Sequence, residues 1–149
     1  MIALRPHHGD RDEFVRRVDE VQRPQGYRLV GAFDDGDGED ALAVAGFRVI
    51  ENLVSGRMLY VDDLSTLPEA RRRGHAAALL DWCTEEAQRL GCDEVELDSA
   101  VGPQRTDAHR LYFNRGFRIA AFHFERPLRP GSRPSGRDPD TDSAKDRPM

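Results

Sequence analysis

The run Arg71-Arg72-Arg73-Gly74-His75-Ala76-Ala77 separates an apolar strand-like stretch, Met58 to Leu67, from an apolar helix-like stretch, Ala76 to Leu90. A strand that ends in a basic glycine turn and then opens a helix is suited to holding phosphate. The first helical turn has N–H groups with no intrahelical acceptor, the helix dipole puts partial positive charge there, and glycine lets the backbone approach an anion. Arginines beside it add charge-assisted hydrogen bonds. In isolation the run also reads as a solvated basic turn. Two other groups could do chemistry. Asp62 and Asp63 precede the turn; in a regular strand they point to opposite faces, so at most one could meet a given ligand unless a bulge intervenes. Tyr112 carries a phenol, which can donate a proton, or it could simply pack.

The elements that must position these residues follow from periodicity and punctuation. Apolar residues at Phe14, Val15, Val18 and Val21 have near-helical spacing over Asp10 to Val21, with Asp10 as N-cap. Tyr27 to Phe33 alternates as a strand, and the chain from Asp34 to Asp40 reads as a hairpin loop. That loop is acidic but lacks the ligand spacing of a calcium site. Strands are expected at Ala41–Ile50, Arg57–Leu67 and Glu94–Ser99, with a turn over Glu51–Gly56. A helix is expected from His75 to Leu90, burying Ala76, Leu79, Leu80, Cys83 and Ala87 and stopped by Gly91. A second follows from Asp107 to Arg115, and Phe117 to Leu128 alternates as a last strand. From Arg129 onward Pro, Gly, Ser and charge dominate, which predicts a disordered tail over 129–149 behind a domain of residues 1–128. The order is mixed α/β, with a sheet antiparallel in its N-terminal part and parallel around the basic turn, flanked by helices.

The turn matches the spacing [Arg/Gln]-x-x-Gly-x-[Gly/Ala], and Ala108-His109-Arg110-Leu111-Tyr112-Phe113-Asn114-Arg115-Gly116-Phe117 matches Ala-x-x-x-Tyr-x-x-x-Gly-Phe. Together, in this order and with a strand between them, the two motifs resemble the GNAT N-acetyltransferase superfamily over residues 26–128. The resemblance implies a mixed central sheet splayed beside a bulged strand, with acetyl-coenzyme A in the cleft and no metal. It places the pyrophosphate on Arg71, Arg72, Arg73, Gly74, His75, Ala76 and Ala77, the thioester near Leu64, and the pantetheine along Ser65 and Thr66. Tyr112 is then the acid that protonates the departing thiolate. Asp62 or Asp63, at the splay of the sheet, could serve the acceptor amine as base, directly or through water, or hold its charge, or the pair could be structural. Glu51 and His109 are lesser candidates for the base. Glu20–Gln25 and Glu51–Gly56 are expected to line the acceptor pocket. Two departures stand out. Arg105 occupies a place where the family often has an Asn that contacts the coenzyme; it could replace that contact by reaching a phosphate or carbonyl, serve an anionic acceptor, or cover the helix start. Only Ile2 to Leu4 is available for the strand that usually precedes the first helix.

Composition adds exclusions. The chain has 149 residues, enough for one domain. No apolar run approaches the roughly 18 residues of a membrane span, and Met1 to Pro6 does not read as a signal peptide. Cys83 and Cys92 have neither zinc nor redox spacing, and free thiols suit the cytoplasm. A formal net charge of −5 argues against a general nucleic-acid binder. The expected partner is an amine acceptor, a small molecule or a protein, with a homodimer left open. A non-catalytic coenzyme A-binding regulatory domain is the alternative, since one fold hosts many functions.

Overall fold

The computed structural model describes residues 10–34 and 40–128. The expected strand at Ile2–Leu4, most of the acidic hairpin loop and the expected tail lie outside the described residues. The chain forms two compact units that meet in sequence at Leu97 and Asp98.

The first unit is built on a four-stranded sheet in the order β1-β2-β3-β4, with β1 Arg28–Ala32, β2 Ala43–Asn52, β3 Gly56–Thr66 and β4 Glu94–Leu97. β1, β2 and β3 are antiparallel neighbours, and β4 joins β3 in parallel. The β2–β3 hairpin is closed by Asn52, whose side-chain oxygen accepts from Val54 N and Ser55 N at 2.8 and 2.7 Å. This Asx turn satisfies the tip locally. Alternation sends Ala43, Ala45, Phe47, Leu59 and Val61 to one face, where they are buried against Leu79, Cys83 and Ala87 of α2, His75–Arg89. Gly91, at φ 67°, ends α2. Cys92 N donates to Ala87 O and Gly91 N to Gln88 O, the paired bonds of a Schellman stop.

The opening helix differs from the regular one its spacing predicts. α1 runs only from Arg11 to Arg17, capped as expected by Asp10, whose carboxylate accepts from Glu13 N at 2.9 Å. The chain then widens into a π turn over Val18–Gln22 and tightens into a 3-10 turn over Arg23–Gln25. The widened turn rotates Val18 inward while Val15 and Val21 stay exposed, so the four apolar residues do not share one buried stripe. Pro24 lacks the N–H that a continuing helix needs.

The thiol of Cys83 is fully enclosed under this sheet. Burial, reinforced by the charge of Glu86, pushes it up to about 11. Because the thiolate is the reactive form, Cys83 should resist iodoacetamide at about pH 8 in the native protein and react after denaturation. Peptide mass spectrometry checks this; equal labelling in both states would contradict it.

The second unit carries a 3-10 turn at Pro103–Arg105 and then α3, Thr106–Asn114. The last strand expected over Phe117–Leu128 does not form: no residue of this stretch enters a ladder. Ile119, Phe122, Phe124 and Leu128 are exposed there. Alternation signals strand potential, but a strand needs a backbone ladder, and periodicity alone does not supply one.

Candidate active site

The step that builds the site is a break in register. Gly46 pairs with Asp63 but Phe47 pairs with Val61, so Asp62 is an extra residue in β3, a β-bulge. The bulge changes which residues face α2. Leu59 and Val61 face the core, and regular alternation would send Asp63 after them; instead Leu64 takes that place. Asp63 opposes Gly46 on the other face. Asp62 reaches the same face, where its carboxylate accepts from Arg48 Nε at 2.8 Å. The Tyr27 hydroxyl donates to Asp63 Oδ2 at 2.8 Å, and the Arg48 guanidinium lies 5.5 Å from the centre of the Tyr27 ring. The two neighbouring carboxylates, which a regular strand would have separated, thus meet one cluster. Arg48 Nη2 also donates to Gln22 Oε1 at 3.0 Å, tying the π turn to the bulge.

The same place ends the parallel pairing. The β3–β4 ladder stops at Val61–Leu97, while β3 continues to Thr66 beside β2 alone. Along Leu64, Ser65 and Thr66 the edge turned from β2 therefore makes no ladder with β4.

The basic loop follows. Arg72 is at φ 61°, the one non-glycine residue with positive φ among the described residues, and Gly74 is at φ 91°. A side chain held in the left-handed region costs free energy. Gly74 is the N-cap of α2 and, having no side chain, makes no cap hydrogen bond. The first helical bond is Ala78 N to Gly74 O, at 2.9 Å. The N–H groups of Gly74, His75, Ala76 and Ala77 precede it and have no intrahelical acceptor. A Cβ built at Gly74 would meet nothing within 4 Å among the described residues. Arg71 and Arg72 are exposed, and Arg73 pairs with Asp34 at 2.6 Å. His75 Nε2 is buried and has no hydrogen-bond partner among the described residues. Uncapped donors and arginines make a donor set that fits a diphosphate.

In the second unit, α3 ends in a second Schellman stop. Gly116 sits at φ 82°; Phe117 N donates to Tyr112 O at 3.0 Å and Gly116 N to Phe113 O at 3.1 Å. The Phe117 ring packs edge-on against Tyr112, with centroids 6.1 Å apart. This is the apolar contact that accompanies the motif, so Gly-Phe after Tyr-x-x-x is a device that fixes the tyrosine ring. The Tyr112 hydroxyl makes no hydrogen bond among the described residues. His109 Nε2 lies 3.0 Å from Ala100 O and 3.1 Å from Ser99 Oγ; a carbonyl only accepts, so this nitrogen carries the proton and secures the loop. Arg105 Nη2 donates to Ser99 Oγ at 3.4 Å, and its Nε is buried without a partner among the described residues. Glu51 is exposed near the hairpin tip, 3.9 Å from Arg57.

Sequence reasoning missed Tyr27 and Arg48 as neighbours of the carboxylates. Gly46 was the available signal, since a glycine inside a strand often marks a bulge or a close approach.

Among known proteins, the profile of the acetyltransferase (GNAT) family matches residues 3–117. The chain is 28% identical over 120 residues to the uncharacterized N-acetyltransferase YhdJ of Bacillus subtilis (strain 168), covering 80% of this chain and 81% of that one. It is 34% identical over 68 residues to aminoalkylphosphonate N-acetyltransferase of Salmonella typhimurium, a match spanning 46% of this chain and 43% of the relative. Its fold is similar to that of aminoglycoside N-acetyltransferase AAC(6')-Iy in complex with CoA, with a TM-score of 0.69 and 23% identity over 85% of this chain and 83% of the other. The bulged sheet, the uncapped glycine loop and the profile match agree, and the chain belongs to the GNAT acetyltransferase family.

Proposed function

We propose that this protein is an enzyme that transfers an acetyl group from acetyl-coenzyme A to a primary amine of a small molecule or a protein. The observation that carries the reading is that the β3 bulge, the end of the β3–β4 ladder and the uncapped glycine loop follow one another along a single stretch of chain. Acetyl-coenzyme A, when bound, supplies the activated acetyl group. The N–H groups of Gly74 to Ala77, with Arg71 and Arg72, hold the diphosphate. Main-chain groups of Leu64, Ser65 and Thr66 pair with the pantetheine arm. Asp62 and Asp63 attract the acceptor ammonium, and one of them takes its proton directly or through water. As the C–N bond forms and the C–S bond breaks, Tyr112 would give its phenolic proton to the departing sulfur, and the second proton released by the acetylated nitrogen returns through solvent to restore the phenol. The amine class is supported by the names of the relatives, N-acetyltransferases among them.

Thermal denaturation tests the ligand and thiol release tests the reaction. Acetyl-coenzyme A should raise the melting temperature, and ATP and NAD should not. With a panel containing a diamine, an amino sugar, an aminoalkylphosphonate and a peptide with a free α-amine, at least one member should accelerate release of coenzyme A. A shift with acetyl-coenzyme A but no acceleration by any amine would favour a binding domain over an enzyme.

A further inference from the structure

We propose that Tyr27 is a positioning residue of the acceptor side: its hydroxyl fixes the Asp63 carboxylate at the bulge, and Gly46 is the seat that allows it. This rests on the reading that the bulge carboxylates serve the acceptor amine. Tyr27 is 6% exposed, so its ring is anchored by the surrounding chain. Its hydroxyl donates to Asp63 Oδ2 at 2.8 Å. Burial, reinforced by the charge of Asp63 and by this hydrogen bond, drives the phenol far above its ordinary range, so it remains a donor throughout the working pH.

Gly46 pairs with Asp63 across the two strands, immediately before the register step. A Cβ at this position would overlap the Tyr27 hydroxyl and ring. The tyrosine therefore lies directly on the β2 backbone beside the bulge, a place only glycine leaves open. Two further contacts restrain it. The Arg48 guanidinium lies against the ring while holding Asp62, and Tyr27 N donates to Gln22 O at 3.1 Å. The hydroxyl thus stands at a point set by main chain on one side and by a charged neighbour on the other. Phenylalanine would fill nearly the same volume. What the hydroxyl adds is a fixed direction for one carboxylate, and a carboxylate displaced by about 1 Å can cost as much as about 10²-fold in rate.

The test compares Tyr27→Phe, Gly46→Ala, Asp63→Asn and the double variant Tyr27→Phe/Asp63→Asn, using the best acceptor found in the amine panel. Tyr27→Phe should lower kcat/KM for the amine by about 10- to 100-fold and leave the Kd for acetyl-coenzyme A unchanged. Gly46→Ala should reproduce that loss by pushing the ring off its seat, with both side chains intact. Positioning predicts non-additivity: in the Asp63→Asn background, Tyr27→Phe should cost little more. An equal further loss in that background would overturn the proposal, because the hydroxyl would then act elsewhere. So would a Tyr27→Phe enzyme at wild-type rate beside an impaired Asp63→Asn, a result that leaves the role of Asp63 standing. Wild-type turnover in Asp63→Asn would remove Asp63 from the reaction, and the proposal with it.

Discussion

Tyr112→Phe should slow single-turnover acetyl transfer by on the order of 10²–10⁴-fold, the usual scale of general acid catalysis, with little change in acetyl-coenzyme A affinity. The substitution removes one oxygen and keeps the ring. The structure shows why the ring should stay in place: it packs on Phe117 across the α3 stop, and that stop is held by main-chain bonds to the carbonyls of Tyr112 and Phe113. The hydroxyl makes no hydrogen bond among the described residues, so its loss breaks none there. A large rate effect would then report its proton, not its packing. Single-turnover kinetics are required, because a slow product-release step would hide the loss. Transfer at wild-type rate would remove Tyr112 as the acid and leave water or His109; the proton that His109 Nε2 directs at Ala100 O makes water the stronger of the two.

Gly74→Asp should weaken acetyl-coenzyme A binding by about 10- to 100-fold, since a hydrogen bond to a charged group contributes about 1.5–3 kcal/mol and at least one would be displaced. The fold should survive. A Cβ at this position meets nothing within 4 Å among the described residues, Asp is among the residues that tolerate the left-handed region, and it is a favoured N-cap residue. Its carboxylate would compete for the N–H groups the diphosphate needs and would repel that diphosphate. Gly74→Ala separates the effects, since it shares the conformational cost but adds no charge; its loss should be clearly smaller. Titration calorimetry with circular dichroism as the folding control measures both. Unchanged affinity in a folded Gly74→Asp protein would place the diphosphate elsewhere.

Much of this organisation was readable in order along the chain. Apolar spacing at Leu79, Leu80, Cys83 and Ala87, closed by Gly91, specifies α2 and its buried face; Asp10 specifies a cap; Gly116 specifies the end of α3. These are local signals, because a helix and its stops are decided within a few residues by hydrogen bonds of short sequence separation. The basic turn was legible for the same reason. Its fit to an anion depends on Gly74 and on the helix that follows, both contiguous in the chain.

The expectations that failed depended on neighbours. Val15, Val18 and Val21 have helical spacing, but the chain turns through a π segment and buries only Val18. Phe117 to Leu128 alternates but forms no strand, since a strand exists only in a ladder. Asp62 and Asp63 lie between these cases. Their adjacency, and the shift of apolar residues from Leu59 and Val61 to Leu64, are written in the sequence. What they do with it is not.

The sequence by itself determined which residues are candidates to hold a diphosphate, to donate a proton and to face an amine, because motif chemistry is carried by side-chain type and short spacing. Only the tertiary structure decided that the two aspartates share a face, that Tyr27 and Arg48 hold them, and that Gly46 makes room for the tyrosine. The physical reason is that a bulge is a difference in register between two strands. It belongs to the pairing of β2 with β3, and the residues it gathers from positions 27, 46, 48, 62 and 63 become neighbours only when those strands meet.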